Sequence, residues 1–120
     1  MIKPNEIFVF GSNLAGRHGA GAALQALNEF GAVLFQGVGL QGKSYGIPTK
    51  DERIRTMPLE AIAPYVKEFL DFARSRPDLS FYVTPIGCGL AGYKREQIRP
   101  MFDDLPENCR LAHTWAEEYA

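Results

Sequence analysis

At 120 residues, with 46% apolar and 22% charged side chains, the chain has enough hydrophobic surface for one packed core and room for one site. Its formal net charge of −1 excludes a whole-molecule positive field that draws it to nucleic acid or an anionic membrane, while local recognition of a nucleic-acid end stays open. No apolar run approaches the roughly 18 residues of a spanning helix, no basic-then-apolar leader opens the chain, and Cys88 and Cys109 form neither a C-x-x-C pair nor a zinc cluster, so the expectation is a cytoplasmic protein of one domain over residues 1–120, with two free thiols, no metal and no cofactor.

Strands and helices alternate along the chain. Glu6 to Phe10 (EIFVF) is a short apolar run ending in Gly-Ser-Asn, as a buried parallel strand does when it enters a loop at its carboxyl end. Ala20 to Phe30 spaces Ala23, Leu24, Leu27 and Phe30 on one helical face and stops before Gly31. Ala32 to Phe35 predicts a second strand and Lys43 to Pro48 a third. A helix then opens at Thr56-Met57-Pro58, with Leu59, Ile62, Val66, Phe69, Leu70 and Ala73 as its buried stripe and Pro64 expected to kink it or reset its start. Ser80 to Ile86 predicts another buried strand, Arg95 to Phe102 a short helix interrupted by Pro100, and Cys109 to Trp115 a last strand carrying His113 and Trp115 on one face. The alternation implies an α/β fold with a mixed, mostly parallel sheet between helices, whose ligands bind beyond the carboxyl ends of the strands.

Gly37 to Ser44 (GVGLQGKS) matches the phosphate-loop pattern of nucleotide hydrolases, a reading that needs a helix after the serine. Gly46 and Pro48 follow within four residues, so the stretch reads instead as a turn joining adjacent strands. Two other segments leave strands through small residues and enter helices: Gly11 to Leu27, with Gly19, Ala20 and Gly21 at the helix entrance, and Ile86 to Tyr93 (IGCGLAGY). Unhindered backbone N–H groups at such entrances meet anions, and two such loops side by side can grip two linked phosphates.

These two loops resemble those of the macrodomain family. Asn13 and His18-Gly19-Ala20-Gly21-Ala22-Ala23 stand where that pattern has a strand-ending Asn and a glycine-rich helix start, and Gly89-Leu90-Ala91-Gly92-Tyr93 is similar to its diphosphate loop. Ser44 to Lys50 (SYGIPTK) and FYVTPIGCGL resemble the branch that removes ADP-ribose from glutamate or DNA bases. The resemblance spans about residues 6 to 115. It implies a three-layer α/β/α domain binding ADP-ribose, with Asn13 at the distal ribose, Gly19 to Ala22 lining the ribose and phosphates, and Ser12 and Thr49 as further ligand-binding residues. Gly87, Cys88, Gly89, Leu90, Ala91 and Gly92 would wrap the diphosphate, and Tyr93 would close over one end. Lys50 stands where the branch brings a lysine to the anomeric carbon. The branch's catalytic acid is replaced by Ala91, so proton transfer falls to His18 or Asp51, or is lost.

Two functions are thus expected as alternatives. One is hydrolysis of an ADP-ribosyl linkage on DNA, protein or a small molecule; the other is a module that binds ADP-ribose or a related nucleotide without chemistry. Cys88 reads as a packed thiol rather than a nucleophile, and Arg53 and Arg55 as a solvated strip. The oligomeric state is not written in the sequence.

Overall fold

The computed structural model describes residues 1–116. Its five-stranded sheet has the order β2-β3-β1-β4-β5. Strand β1 (Glu6–Asn13) lies at the centre, parallel to β3 (Ser44–Lys50) on one side and to β4 (Ser80–Val83) on the other; β5 (Cys109–Leu111) extends the parallel set beyond β4. Only β2 (Gly39–Gln41), at the edge beyond β3, runs antiparallel. A central strand covered on both faces must be apolar on both, which is why EIFVF is a continuous run. Ile7 and Val9 face the larger core, where helix α2 (Leu59–Ser75) packs, whereas Phe8 and Phe10 face helix α1 (Gly21–Glu29). The architecture is therefore a mixed, mostly parallel sheet between helical layers, as the alternation predicts.

The α2 stripe is buried at Ile62, Val66, Phe69, Leu70 and Ala73. Phe69 is the hub of this layer, with edge contacts to Tyr45, Phe81 and Phe102 at centroid distances of 5.0, 5.3 and 6.5 Å. Burying one such ring is worth about 1.5–3 kcal/mol, so the stripe outweighs the bond that Pro64 removes. The helix accordingly runs uninterrupted through Pro64 and does not restart there. Helix α3 (Arg95–Ile98) passes into a 3₁₀ turn at Arg99–Phe102, where Pro100 enters as expected.

Four expectations are corrected. Ala32 to Phe35 is not a strand: Val33, Leu34 and Phe35 are exposed, and Phe35 has φ 72°, a left-handed conformation that ends any extended run. Leu24 points outward, and Ala23 and Ala26 carry the buried face of α1, because only small side chains fit so close to Phe8 and Phe10. Strand β4 stops at Val83 rather than Ile86, with Thr84 turned back to donate from Oγ1 to Val9 O at 2.6 Å. Strand β5 stops at Leu111, and His113–Ala116 is a 3₁₀ turn, so His113 and Trp115 do not alternate on a strand; Trp115 Nε1 donates to Val83 O at 2.8 Å.

The chain leaves β1 toward β3 and leaves β4 toward β5. Adjacent strands whose connections depart in opposite directions open a crevice at their carboxyl ends. That crevice lies between β1 and β4.

Candidate functional site

A cleft of about 840 Å³ occupies this crevice. One wall is the loop after β1 with the start of α1, a second is the loop after β4, and the third is the end of β3 with the turn that follows it. The first two walls touch. A Cβ on Gly11 would stand 3.3 Å from Gly87 N, and one on Gly21 would stand 3.6 Å from Leu90 Cδ1. The two glycine-rich loops are thus brought to one place.

Their backbone donors are what the site offers. Helix α1 has no side-chain cap and no acidic residue in its first turn, and the N–H groups of Gly21, Ala22 and Ala23 donate to no described residue. In the second loop, the N–H groups of Cys88, Gly92 and Tyr93 close internal turns on Pro85, Gly89 and Gly87 carbonyls, while those of Gly89, Leu90 and Ala91 donate to no described residue. All six residues with these open donors line the cleft. A Cβ on Gly19 or Gly89 would meet nothing within 4 Å, so both positions look onto open space. Two sets of uncommitted donors across one crevice, one of them a helix start, form a site for an extended anion.

The first loop is held by its own polar side chains. Asn13 Oδ1 accepts from Arg17 N–H at 2.9 Å, and Asn13 Nδ2 donates to Arg17 O at 2.7 Å. Ser12 donates to Gly37 O, and Thr49 Oγ1 to Ser12 O at 3.4 Å, tying the ends of β1 and β3 together. Arg17, Lys50 and Arg95 bring positive charge to the cleft, and among the described residues no carboxylate lines it. At the far end Ile2, Phe8 and Tyr82 give an apolar floor edged by Gln25, His113 and Thr114.

Ser12, Asn13, Gly19 to Ala22, Thr49, Lys50 and Gly87 to Ala91 therefore converge on the cleft. Three others do not. His18 is 1% exposed and lies outside the lining; its Nε2 faces Val33 O at 2.9 Å, Gln36 O at 3.1 Å and Gln41 Oε1 at 3.2 Å, so it holds the loop from behind rather than facing a ligand. Tyr93 donates its hydroxyl to Met57 O at 2.6 Å with its ring against the core, and Gly92 stands beside it outside the lining. Asp51, the other proton carrier considered, accepts from Arg53 and Arg55 N–H at 2.8 and 3.0 Å, and these bonds, that from Arg55 first, hold its carboxyl below the usual range. Such a group keeps its charge and is a poor acid. Burial pushes the Cys88 thiol up despite the nearby Arg95, which suits packing and not nucleophilic attack. Both cysteines are buried, and Cys88 Sγ donates to Ile86 O at 3.4 Å.

The phosphate-loop reading of Gly37 to Ser44 fails on geometry. The stretch is two residues of loop, then β2, a two-residue turn and the first residue of β3; Ser44 is fully buried and donates to Gln41 O at 2.7 Å. Its glycines serve close packing, since a Cβ on Gly37 would lie 2.1 Å from Asn13 O and one on Gly42 would lie 2.5 Å from Gly31 O. Sequence reasoning missed Arg17 and Arg95 in the cleft; the position of Arg17, between Asn13 and the helix-entrance glycines, was the available signal for the first. No described helix is long and apolar enough to cross a membrane.

No family model matches the chain, and no curated protein matches it. Solved structures do. It is similar to the macrodomain of Mycobacterium tuberculosis DarG at 20% identity and a TM-score of 0.61, covering 91% of this chain and 90% of that one. Two proteins from Bacteroides thetaiotaomicron, one of them described as of unknown function, superpose with TM-scores of 0.57 and 0.59 at 21% and 19% identity; they cover 82% and 87% of this chain, and 80% and 83% of their own chains. The fold is macrodomain-like.

Proposed function

We propose that this protein binds ADP-ribose, or an ADP-ribosyl group carried by DNA, protein or a small molecule, and hydrolyses the ADP-ribosyl linkage through Lys50. The observation that carries the reading is the pair of open donor sets, Gly21 to Ala23 and Gly89 to Ala91, lining one crevice. A diphosphate between them leaves the adenine over the Phe8 and Tyr82 floor and the distal ribose between Asn13 and Lys50. The chain's similarity to a protein described as a macrodomain supports the same ligand.

Lys50 ends β3 at the cleft, in register with Asn13 across the β1–β3 pairing. As an amine it attacks the anomeric carbon, forming a C–N bond as the glycosidic bond breaks; water then releases ADP-ribose and restores the amine. The departing group takes its proton from solvent, because the methyl of Ala91 supplies none. Loss of a positioned acid costs roughly a hundred- to ten-thousand-fold in rate, so turnover is slow. The same alanine favours a second reading, a pocket that holds ADP-ribose without chemistry.

Thermal denaturation tests the binding claim. ADP-ribose at a hundredfold excess over Kd stabilises by about 2.7 kcal/mol, seen as a rise in Tm. Absence of a shift at millimolar ligand removes the reading. Incubation with ADP-ribosylated DNA and protein separates the two functions: release by the native protein and none by Lys50→Ala supports the lysine mechanism. Equal release by both ends it, and release by neither leaves the binding module.

A further inference from the structure

The turn between α1 and β2 puts its largest apolar side chain where the backbone favours glycine. Gln36 N–H donates to Val33 O at 3.2 Å, closing a four-residue turn with Leu34 and Phe35 at its tip. Phe35 takes φ 72°, a conformation that turns give to glycine or asparagine. A phenyl side chain there carries a steric cost that the fold does not offset, since the ring is 80% exposed, with Val33 and Leu34 beside it at 48% and 51%. The tip is nevertheless held in place. Phe35 N–H donates to Gly16 O at 2.8 Å, a Cβ on Gly16 would lie 2.3 Å from Phe35 C, and Gln36 Nε2 donates to Val38 O and Leu40 O at 3.2 and 3.0 Å. From Gly31 to Gly42 the sequence carries no charge, although 22% of the chain is charged. Glu29 and Lys43 flank this run with opposite signs, and among the described residues neither takes part in an ion pair. The bond from Lys43 N–H to Phe30 O, at 2.8 Å, keeps the two ends of the run together.

We propose that Val33, Leu34 and Phe35 form the contact through which a second copy of this chain packs, patch against patch about a two-fold axis. The inference is independent of the ligand reading above. The three side chains expose about 300 Å² of apolar surface. Two copies together bury about 600 Å² of it, the apolar share of a total interface of roughly 1,000 Å², which is the lower bound for a specific contact. The product is a weak, reversible dimer. In such an isologous contact a residue near the axis meets its own counterpart, so a charge there opposes itself; the uncharged run from Gly31 to Gly42 removes that penalty. Glu29 and Lys43 at its ends give the rim both signs, which suits a self-complementary contact. Gln36 already occupies the Val38 and Leu40 carbonyls at the β2 edge, so the partner packs through side chains and does not extend the sheet.

Sedimentation equilibrium of the full chain, from roughly 1 µM to 1 mM, reads the association directly. The average mass rises from one chain toward two, with the midpoint on the order of 10–100 µM. Phe35→Gly suits the left-handed conformation, so its Tm at low concentration equals or exceeds that of the native protein, yet it sediments as a monomer throughout. Leu34→Glu, at the other tip position, is monomeric as well. Leu24→Glu, which changes an exposed leucine of α1, dimerises as the native protein does. A native protein that stays monomeric over the whole range overturns the proposal. A monomer that binds neutral phosphatidylcholine vesicles, with binding lost in Phe35→Gly, also overturns it and assigns the patch to a membrane surface. Native-like dimers of both Phe35→Gly and Leu34→Glu overturn it too, since the copies then meet elsewhere on the surface.

Discussion

Gly89→Val perturbs the cleft while leaving the core untouched. Gly89 lies outside the left-handed backbone positions, and a Cβ there meets no atom within 4 Å, so valine fits the existing conformation. Replacing glycine at a compatible position limits the unfolded chain and changes stability by about 0.4–1 kcal/mol. For a chain of this size that is a Tm change of no more than about 5 °C. The isopropyl group, however, stands beside the open N–H groups of Gly89, Leu90 and Ala91, where it keeps an anion at a distance. Each charge-assisted bond lost costs about 1.5–3 kcal/mol, or roughly ten- to a hundredfold in affinity. Parallel thermal melts and calorimetric titrations with ADP-ribose measure both quantities. Native-like affinity in Gly89→Val refutes the claim that this loop grips phosphate; a large drop in Tm refutes the claim that the space above it is empty.

Two further outcomes concern stability. Gly37→Ala forces a methyl onto the backbone carbonyl of Asn13 and lowers stability by roughly 1–3 kcal/mol, read by urea denaturation, with ATP and magnesium giving no protection to either protein. Arg110 donates to both Glu6 oxygens, at 2.7 and 2.8 Å, and thereby holds that buried carboxyl below its ordinary value of 4.5. The resulting stabilisation is complete above pH 4.5 and is lost as pH falls through the lower folded value. Because Arg110 is 38% exposed the pair is screened, so Glu6→Gln costs about 1–2 kcal/mol at pH 7, and the gap from the native protein closes in acid. A gap that stays constant down to the acid transition contradicts the ion-pair account.

Local patterns proved legible where burial on both faces left little choice. EIFVF and the α2 stripe announce themselves because every position faces either the sheet or a helix. Ala32 to Phe35 is as apolar as a strand, yet Gly16 and Gly37 let the chain fold back tightly at that point, and Phe35 is turned into solvent with its N–H on Gly16 O at 2.8 Å. Nothing in a window of four residues records that return. His18 shows the same limit at the site. A histidine in a glycine-rich loop suggests a proton carrier, but its acceptors come from Val33, Gln36 and Gln41, which only the fold brings near. Tyr93 is likewise withdrawn by Met57. The glycine loops were readable because a backbone that offers its own N–H groups needs small residues at fixed positions. The cations Arg17 and Arg95 were not, since a surface arginine has no local signature until a cleft is known to lie beside it.

The most direct test is a crystal structure of the protein with ADP-ribose bound. The account predicts diphosphate oxygens about 2.7–3.2 Å from N–H groups of both the Gly21–Ala23 and the Gly89–Ala91 segments, with the distal ribose beside Lys50. A ligand held by only one segment, or lodged at the Gly37–Ser44 hairpin, contradicts it.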